Sequence, residues 1–321
     1  MGINRRLRNQ PRAPGRTCLF VLLGFLLVSC TSVRPVSKLG LLAPFEGLER
    51  RSGYIALTAM RQAITDFAPA TVALMPLAVD DTADAAGVQR ALRKMLQDGA
   101  VDALVGPYNP VLALQIQPDL AATGLPWVMP LAIDPVQGFV AFDADGAWAI
   151  PLLAAAADQA QRQGSARLIL AGWTPGWPQG SALQVRSSFA VPVVVSDALT
   201  AIQPHDAIVW VGAPETGAAY FSALRTPFPI VPFFLGPQAD GPIFSELAQI
   251  TGPVYSLFWL DDGYEQWRLH SATPSPMAYL TYRATQQAIA MNLGQSLASS
   301  PSWRVGIATL TGNGSQSGFF Y

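Results

Sequence analysis

The side chains best suited to acid–base or metal chemistry are few and widely spaced in this chain. Its two histidines, His205 and His270, have no cysteine or second histidine at a spacing that would hold zinc. Acidic pairs such as Asp80–Asp81 and Asp261–Asp262 are adjacent, so their side chains point apart and suit turns or helix caps. No G-x-S-x-G nucleophile motif and no P-loop is present in the sequence. We therefore predict a protein that is not an enzyme and needs no cofactor and no metal.

Carboxylates that follow predicted strands are better suited to binding a solute than to catalysis. Four of them are candidates to hold an ammonium group: Glu46, Glu49, Glu215 and Asp240. Their positions favour Glu46 and Glu215 over the other two. The alternative interpretation of each is a solvated surface carboxylate, which is the more common situation for acidic side chains.

A Pro/Gly-rich loop carries two tryptophans that no helical or strand periodicity assigns to a core. We predict that Trp177 forms a pocket wall and stacks on an apolar, sugar or cationic ligand. For Trp173, packing in a small cluster under the loop is the favoured interpretation.

Two further turns carry polar candidates. Tyr108 and Asn109 end the turn Gly106–Asn109, which precedes a predicted helix whose first N–H groups would favour an anion. Capping that helix is an equal and compatible role for Asn109. Ile133 and Asp134 follow another strand, where Asp134 either accepts from an ammonium group or starts a turn.

An alternation of strands and helices must position these residues. In the first half, we predict strands at 38–43, 71–79, 101–105 and 127–131 and helices at 53–67, 86–97 and 111–122. In the second half, we predict strands at 167–171, 191–195, 207–211, 230–235 and 254–260, with long helices at 146–163 and 277–297. Short strands separated by helices indicate βαβ units, and hence an α/β protein of two lobes with parallel sheets.

The first 29 residues are predicted to be a signal peptide. Five arginines precede an apolar run at 18–28, and residues 1–29 contain no acidic side chain. The run is shorter than the roughly 20 residues that cross a bilayer as a helix. The run ends in Leu-Val-Ser-Cys30, which resembles a bacterial lipobox. The resemblance implies lipidation of Cys30 and anchoring of the exported chain at the cell envelope, through a tether at 30–37. A buried core helix is the alternative.

Composition limits the size class and the partners. Half of the residues are hydrophobic and 13% are charged, which excludes a disordered chain, and the length suits about two lobes. The formal net charge is −1. We predict no nucleic-acid partner, because phosphate binding needs a concentrated basic surface.

Six segments in order resemble one protein family. They are Leu39–Gly47, Val79–Asp84, Asp102–Pro107, Gly124–Pro130, Trp177–Gly180 and Tyr279–Tyr282. Together they resemble the type I periplasmic-binding-protein fold, in its leucine/isoleucine/valine-binding branch of substrate-binding proteins for branched-chain amino acid ABC transporters. The resemblance covers about 250 residues, from Lys38 to about Gly294.

The resemblance implies two Rossmann-like lobes joined by a multi-strand hinge. Lobe 1 would comprise 38–145 and about 262–302, and lobe 2 would comprise 146–261 and about 303–321. The implied function is capture of a small polar or amino-acid-like solute between the lobes and its delivery to a membrane permease. Relatives usually have Ser or Thr near Ile133, so the hydroxyl contact to an amino acid is absent here.

Two other functions remain open at the level of sequence. One is an envelope lipoprotein that uses the same fold to bind a protein partner as a sensor or regulator. The other, which is less favoured, is a hydrolase without a recognisable motif. A solute-binding protein should bind a free solute reversibly, a regulator should bind a protein and no solute, and a hydrolase should turn over its substrate.

Overall fold

The protein is described here from a computed structural model, which covers residues 34–143, 145–178, 189–295, 302–311 and 316–320. Cys30 and the predicted signal peptide lie outside the described residues. Two separate sheets organise the chain, and the β-strands of both are rich in buried aliphatic side chains, as expected for parallel sheets covered on both faces.

The first sheet has four parallel strands in the order β2-β1-β3-β4. The strands are β1 (Val36–Ala43), β2 (Ala73–Asp80), β3 (Val101–Val105) and β4 (Trp127–Val128). Helices α1 (Arg50–Phe67), α2 (Ala85–Leu96) and α3 (Pro110–Thr123) connect them. Strand β4 is shorter than the predicted 127–131, and a small antiparallel hairpin follows it, formed by β5 (Ile133–Asp134) and β6 (Gly138–Phe139).

The second sheet has seven strands in the order β13-β12-β11-β10-β9-β7-β8. They are β7 (Arg167–Ala171), β8 (Val193–Val195), β9 (Asp206–Trp210), β10 (Phe233–Leu235), β11 (Val254–Leu260), β12 (Arg304–Leu310) and β13 (Gln316–Phe320). Strands β7 to β11 pair in parallel, whereas β12 pairs antiparallel with β11 and β13 pairs antiparallel with β12, so that β13 forms one edge.

Five helices complete the described structure of the second half. They are α4 (Ile150–Arg162), α5 (Pro214–Arg225), α6 (Pro242–Leu247), α7 (Tyr264–His270) and α8 (Pro276–Asn292). The predicted helix 146–163 is a 3₁₀ turn at Ala147–Ala149 followed by α4, which has a proline in its first turn. The short helices α6 and α7 were not predicted.

Helix α8 returns to the first sheet, although it follows β11 of the second. Its Ala284, Ala288 and Ile289 share a hydrophobic cluster with Leu39 and Leu41 of β1. We call lobe 1 the first sheet with α1–α3 and α8, and lobe 2 the second sheet with α4–α6. The chain passes between the lobes after β4, after β11 and between α8 and β12.

Candidate functional site

A cavity lies between the two lobes at the carboxyl ends of their parallel strands. Lobe 1 contributes the segments that follow β1 and β3, and lobe 2 contributes those that follow β9 and β10. The space between the atoms is about 470 Å³, part of it open to solvent. The lining residues are Pro44, Glu49, Ser52, Tyr108, Leu131, Pro214, Pro237, Gln238, Asp240, Gly241, Ile243 and Met277. This is where open α/β sheets bind ligands, since neighbouring loops diverge at a switch in strand order.

The first turn of α1 forms the lobe 1 wall and is held close to the end of β1. A Cβ atom added to Gly53 would lie 1.9 Å from the carbonyl oxygen of Pro44, so only glycine permits this approach. The carboxylate of Asp80 accepts a 2.7 Å hydrogen bond from the backbone N–H of Phe45, which fixes the connecting loop. These contacts place Glu49 and Ser52 at the cavity.

The loop after β10 forms the facing wall in lobe 2. The backbone N–H of Asp240 donates to the carbonyl of Gly236 at 3.0 Å, which makes the loop a compact turn. The hydroxyl of Ser256, on the adjacent strand β11, donates to the Asp240 carboxylate. The side-chain amide of Gln238 donates to the carbonyl of Val211. Both polar side chains are therefore oriented by neighbouring strands.

Tyr108 joins the cavity to α8. Its hydroxyl lies 2.7 Å from the Thr281 hydroxyl, and Thr281 donates its own proton to the Met277 carbonyl at 2.8 Å. Tyr108 is consequently the donor of the pair. Burial raises the pKa of the Tyr108 hydroxyl well above its usual range, so it keeps that proton.

An ion pair bridges the lobes at the mouth of the cavity. Arg51, at the start of α1, contacts Glu246 of α6. Both side chains are more than half exposed, at 62% and 54%. Such a pair contributes little to stability, about 0–1 kcal/mol, because water and salt screen it. Its geometry nevertheless shows that the two rims are in contact.

Glu49 is a carboxyl group of the cavity wall whose ionised form is disfavoured by its surroundings. Burial, followed by the nearby carboxylates of Glu215 and Asp81, raises its pKa to about 7. Burial likewise raises the pKa of Asp81 to about 6, partly opposed by a hydrogen bond from the backbone N–H of Ala83. Several carboxyl groups thus share one poorly solvated region.

The raised pKa of Glu49 predicts that the unliganded protein loses stability between pH 6 and pH 8. Because the folded state holds this proton more tightly than the unfolded state, stability falls as pH rises from the unfolded pKa of 4.5 towards 7. We expect a loss of about 1 kcal/mol over pH 6–8 after allowing for partial solvent access. Urea unfolding of wild type and Glu49→Gln at both pH values measures it.

The matched control for this prediction is Glu46→Gln, because Glu46 is exposed and lies three residues before Glu49 in the same loop. Glu46→Gln should retain the wild-type pH dependence, whereas Glu49→Gln should remove about 1 kcal/mol of it. If wild type and Glu49→Gln showed equal pH dependence of stability, the raised pKa would not belong to Glu49.

The structure brings together some of the predicted site residues and separates others. Tyr108 and Asp240 line the cavity, and Glu215 follows the lining residue Pro214 in the first turn of α5. Glu46, a favoured candidate, is exposed and is not among the lining residues. Glu49, the less favoured neighbour, lines the cavity in its place.

The other polar candidates have local structural roles. Asn109 caps α3, accepting a 2.9 Å hydrogen bond from the N–H of Val111. Asp134 accepts from the N–H groups of Val136 and Gln137, both at 2.8 Å, which is a turn. Ile133 is fully buried in a hydrophobic cluster.

Trp177 is in the core and not on the cavity wall, contrary to the prediction. Its side chain is 1% exposed and packs edge-to-face on Trp148, with 5.0 Å between ring centroids. A Cβ atom on Gly236 would lie 3.2 Å from the indole, so the ring lies directly behind the loop that carries Gln238 and Asp240. Trp173 is half-buried and donates its indole N–H to the Trp177 carbonyl at 3.1 Å.

Ser52 and Gln238 are lining residues that the sequence did not indicate. Neither belongs to a motif, and each becomes part of the site only through the position of its helix start or turn. Within the described ranges, no group of three or more His, Cys, Asp or Glu side chains is arranged to hold a metal ion. No helix of the described chain is long and apolar enough to cross a membrane.

Solved structures share this arrangement over most of the chain. A leucine-binding protein LivK from Thermotoga maritima is 17% identical, with a TM-score of 0.62, over 89% of this chain and 98% of that one. A possible leucine/isoleucine/valine-binding protein from Rhodopirellula baltica is 14% identical, with a TM-score of 0.64, over 89% and 96%. The fold is that of type I periplasmic binding proteins.

A further neighbour of the same fold was solved with its ligand. It is the branched-chain amino acid transporter substrate-binding protein LivJ from Streptococcus pneumoniae in complex with isoleucine, 14% identical with a TM-score of 0.62, over 88% and 98% of the two chains. All three neighbours are described as binding proteins and not as enzymes. No family model and no curated protein matches the chain.

Proposed function

We propose that this protein is an extracytoplasmic solute-binding protein of an ABC-type importer. The observation that carries the proposal is a cavity whose walls come from both lobes, at the carboxyl ends of the strands. A small polar or amino-acid-like solute would be enclosed there as the lobes close and would be released to a membrane permease. No bond is made or broken in this role, so no cofactor is required.

The proposed location follows from the N-terminal sequence. Residues 1–29 would direct export, Cys30 would carry the lipid, and the tether to residue 37 would place the lobes beside the membrane. The proposed lobe limits are 38–145 with about 262–302, and 146–261 with about 303–321. The packing of α8 on β1 supports assigning the return segment to lobe 1.

A thermal-shift screen of the purified protein tests solute binding. The screen covers amino acids, small amides, amines, sugars and carboxylates. A ligand at 100 times its Kd stabilises the folded state by about 2.7 kcal/mol, which gives a readily measured rise in Tm. We expect at least one class to raise the Tm of the wild type.

A variant that fills the cavity is the control for this screen. Ser52→Phe places an aromatic ring in the space between α1 and the Asp240 loop, so the Tm response to the ligand should disappear while the unliganded protein remains folded. A flat response of the wild type to every class would contradict solute binding. It would favour the alternative of an envelope regulator that binds a protein.

A further inference from the structure

Strand β2 forms one edge of the lobe 1 sheet. In the part of the chain that the structure describes, it pairs with β1 and with no other strand. Residues 72–79 carry no charged side chain, and Met75 is 51% exposed. Edge strands are usually protected from pairing with another chain by charges, prolines or a covering element. An uncharged edge of this length therefore needs one of the other protections.

The hydrogen bonds to β1 decide which backbone groups of β2 face outwards. The N–H groups of Ala73 and Asp81 donate to the carbonyls of Pro35 and Ala43, at 3.0 and 3.2 Å. In a parallel ladder every second residue bonds to the same neighbouring strand, so the odd-numbered residues of β2 face β1. The even-numbered residues from 74 to 80 consequently direct their N–H and C=O groups away from the sheet.

The two helices beside β2 cover its faces and not this edge. Leu74 and Ala78 pack against the hydrophobic cluster that contains α1 side chains. Leu77 and Val79 belong to the cluster that contains α2 side chains. Within the described ranges, no hydrogen bond reaches the N–H of Leu74 or of Ala78. The backbone of the edge is therefore open to a further strand.

Pro76 lies in the middle of the outward-facing set. Because proline has no N–H, an odd-numbered position would cost β2 a hydrogen bond to β1, whereas position 76 costs none. The proline ring occupies the place from which an N–H would point to an added strand. A strand that approached this edge would meet carbon atoms where it needs a hydrogen-bond donor.

The outward-facing set is also symmetric about Pro76. A twofold axis at Pro76 would place Leu74 of one copy opposite Ala78 of a second copy, in an antiparallel pair, and each such pair can exchange two hydrogen bonds. No charged side chain within residues 72–79 opposes this arrangement. The two proline rings would face each other at the centre and would hold the strands apart. A second copy of the chain is therefore the partner that matches this edge.

We propose that Pro76 prevents the β2 edges of two copies from pairing and so keeps the protein monomeric. Without the ring, the two lobe 1 sheets could join into one continuous sheet across the twofold axis. Monomeric state and solute binding are independent, because no residue of β2 lines the cavity.

Light scattering of the purified protein during size-exclusion chromatography tests the proposal. Pro76→Thr restores the outward N–H and introduces a residue that favours strands. We expect wild type at the monomer mass and Pro76→Thr at twice that mass as its concentration rises. Both are measured at low and high salt, because Arg90, Arg93 and Lys94 are exposed on α2 and would repel their copies in a dimer.

Two further variants separate the proline from general effects of substitution. Pro76→Ala restores the same N–H with a smaller side chain and should also dimerise. Met75→Thr is the matched control, because it places threonine at the neighbouring exposed position, whose N–H already faces β1. Met75→Thr should remain monomeric. Thermal unfolding shows whether each variant is folded.

Hydrogen exchange locates the interface in the dimer. The backbone amides of Leu74 and Ala78 should exchange about tenfold or more slowly in dimeric Pro76→Thr than in wild type, because they become hydrogen-bonded. Wild type that dimerises through β2, or folded Pro76→Thr and Pro76→Ala that both stay monomeric at either salt concentration, would overturn the proposal. A dimer in which exchange of these amides is unchanged would overturn it as well.

Discussion

Replacing Asp261 with alanine is expected to lower the free energy of unfolding by about 3 to 5 kcal/mol, because it leaves the partly buried Arg283 without its carboxylate partner, with only a neutral hydrogen bond to Gln286 remaining. Asp261 is 3% exposed and pairs with Arg283 at 2.9 Å, and the arginine side chain is itself only 19% exposed. The same carboxylate accepts from the Tyr279 hydroxyl and, at 2.8 Å, from the N–H of Gly263. All three contacts are lost together.

The location of Asp261 makes this effect relevant to both lobes. It directly follows β11 of the lobe 2 sheet, whereas Tyr279 and Arg283 belong to α8, which packs on lobe 1. The network therefore joins the lobes where the chain crosses from β11 to α8. None of its residues lines the cavity.

The adjacent residue is a matched control for Asp261→Ala. Asp262 is 75% exposed and pairs with Arg304, which is 43% exposed, so Asp262→Ala should change stability by no more than about 0.5 kcal/mol. Urea unfolding at one pH measures both variants. Equal losses for the two variants would show that the buried network does not carry the stability.

Trp177→Ala is expected to cost about 3 to 5 kcal/mol as well, for a different reason. The substitution removes a ring that is 1% exposed and leaves a void against Trp148 and the backbone at Gly236. Trp173→Ala, on the same loop, removes a half-buried ring and should cost less than half as much. Thermal or urea unfolding of the pair gives the comparison.

The same pair of variants also tests the role first predicted for Trp177. A core residue should change stability strongly and alter ligand affinity only through the loop it supports. If Trp177→Ala left the unfolding free energy unchanged and abolished binding of a solute, the ring would belong to the cavity wall and not to the core.

The repeated alternation of strands and helices was predictable because parallel strands are buried on both faces. The second halves of strands such as β1 and β3 are apolar runs, and glycine or proline marks the turns that follow them. That pattern is local in sequence and predicts the individual strands and helices. The division into two lobes was predicted from the order of the six segments that resemble the binding-protein family. Short elements such as α6 and α7 have too few residues for a periodicity to be visible.

The side-chain composition of the cavity was only partly predictable, because it depends on where a helix begins. Glu46 and Glu49 are three residues apart in the same loop, and nothing local distinguishes them. The approach of Gly53 to Pro44 sets the start of α1 and so turns Glu49 towards the cavity. Pairs between distant segments, such as Asp80 with the N–H of Phe45, leave no signal in sequence spacing.

Because Gly53 allows α1 to rest directly on the end of β1, the lobe 1 wall of the cavity takes its shape when the protein folds. Its backbone loses conformational entropy when the protein folds and not when the solute binds. For the proposed solute, the lobe 1 wall would thus be a preorganised surface. A larger side chain at Gly53 would force α1 away from the end of β1. The conformational entropy lost when α1 is ordered against β1 would then oppose binding of the proposed solute.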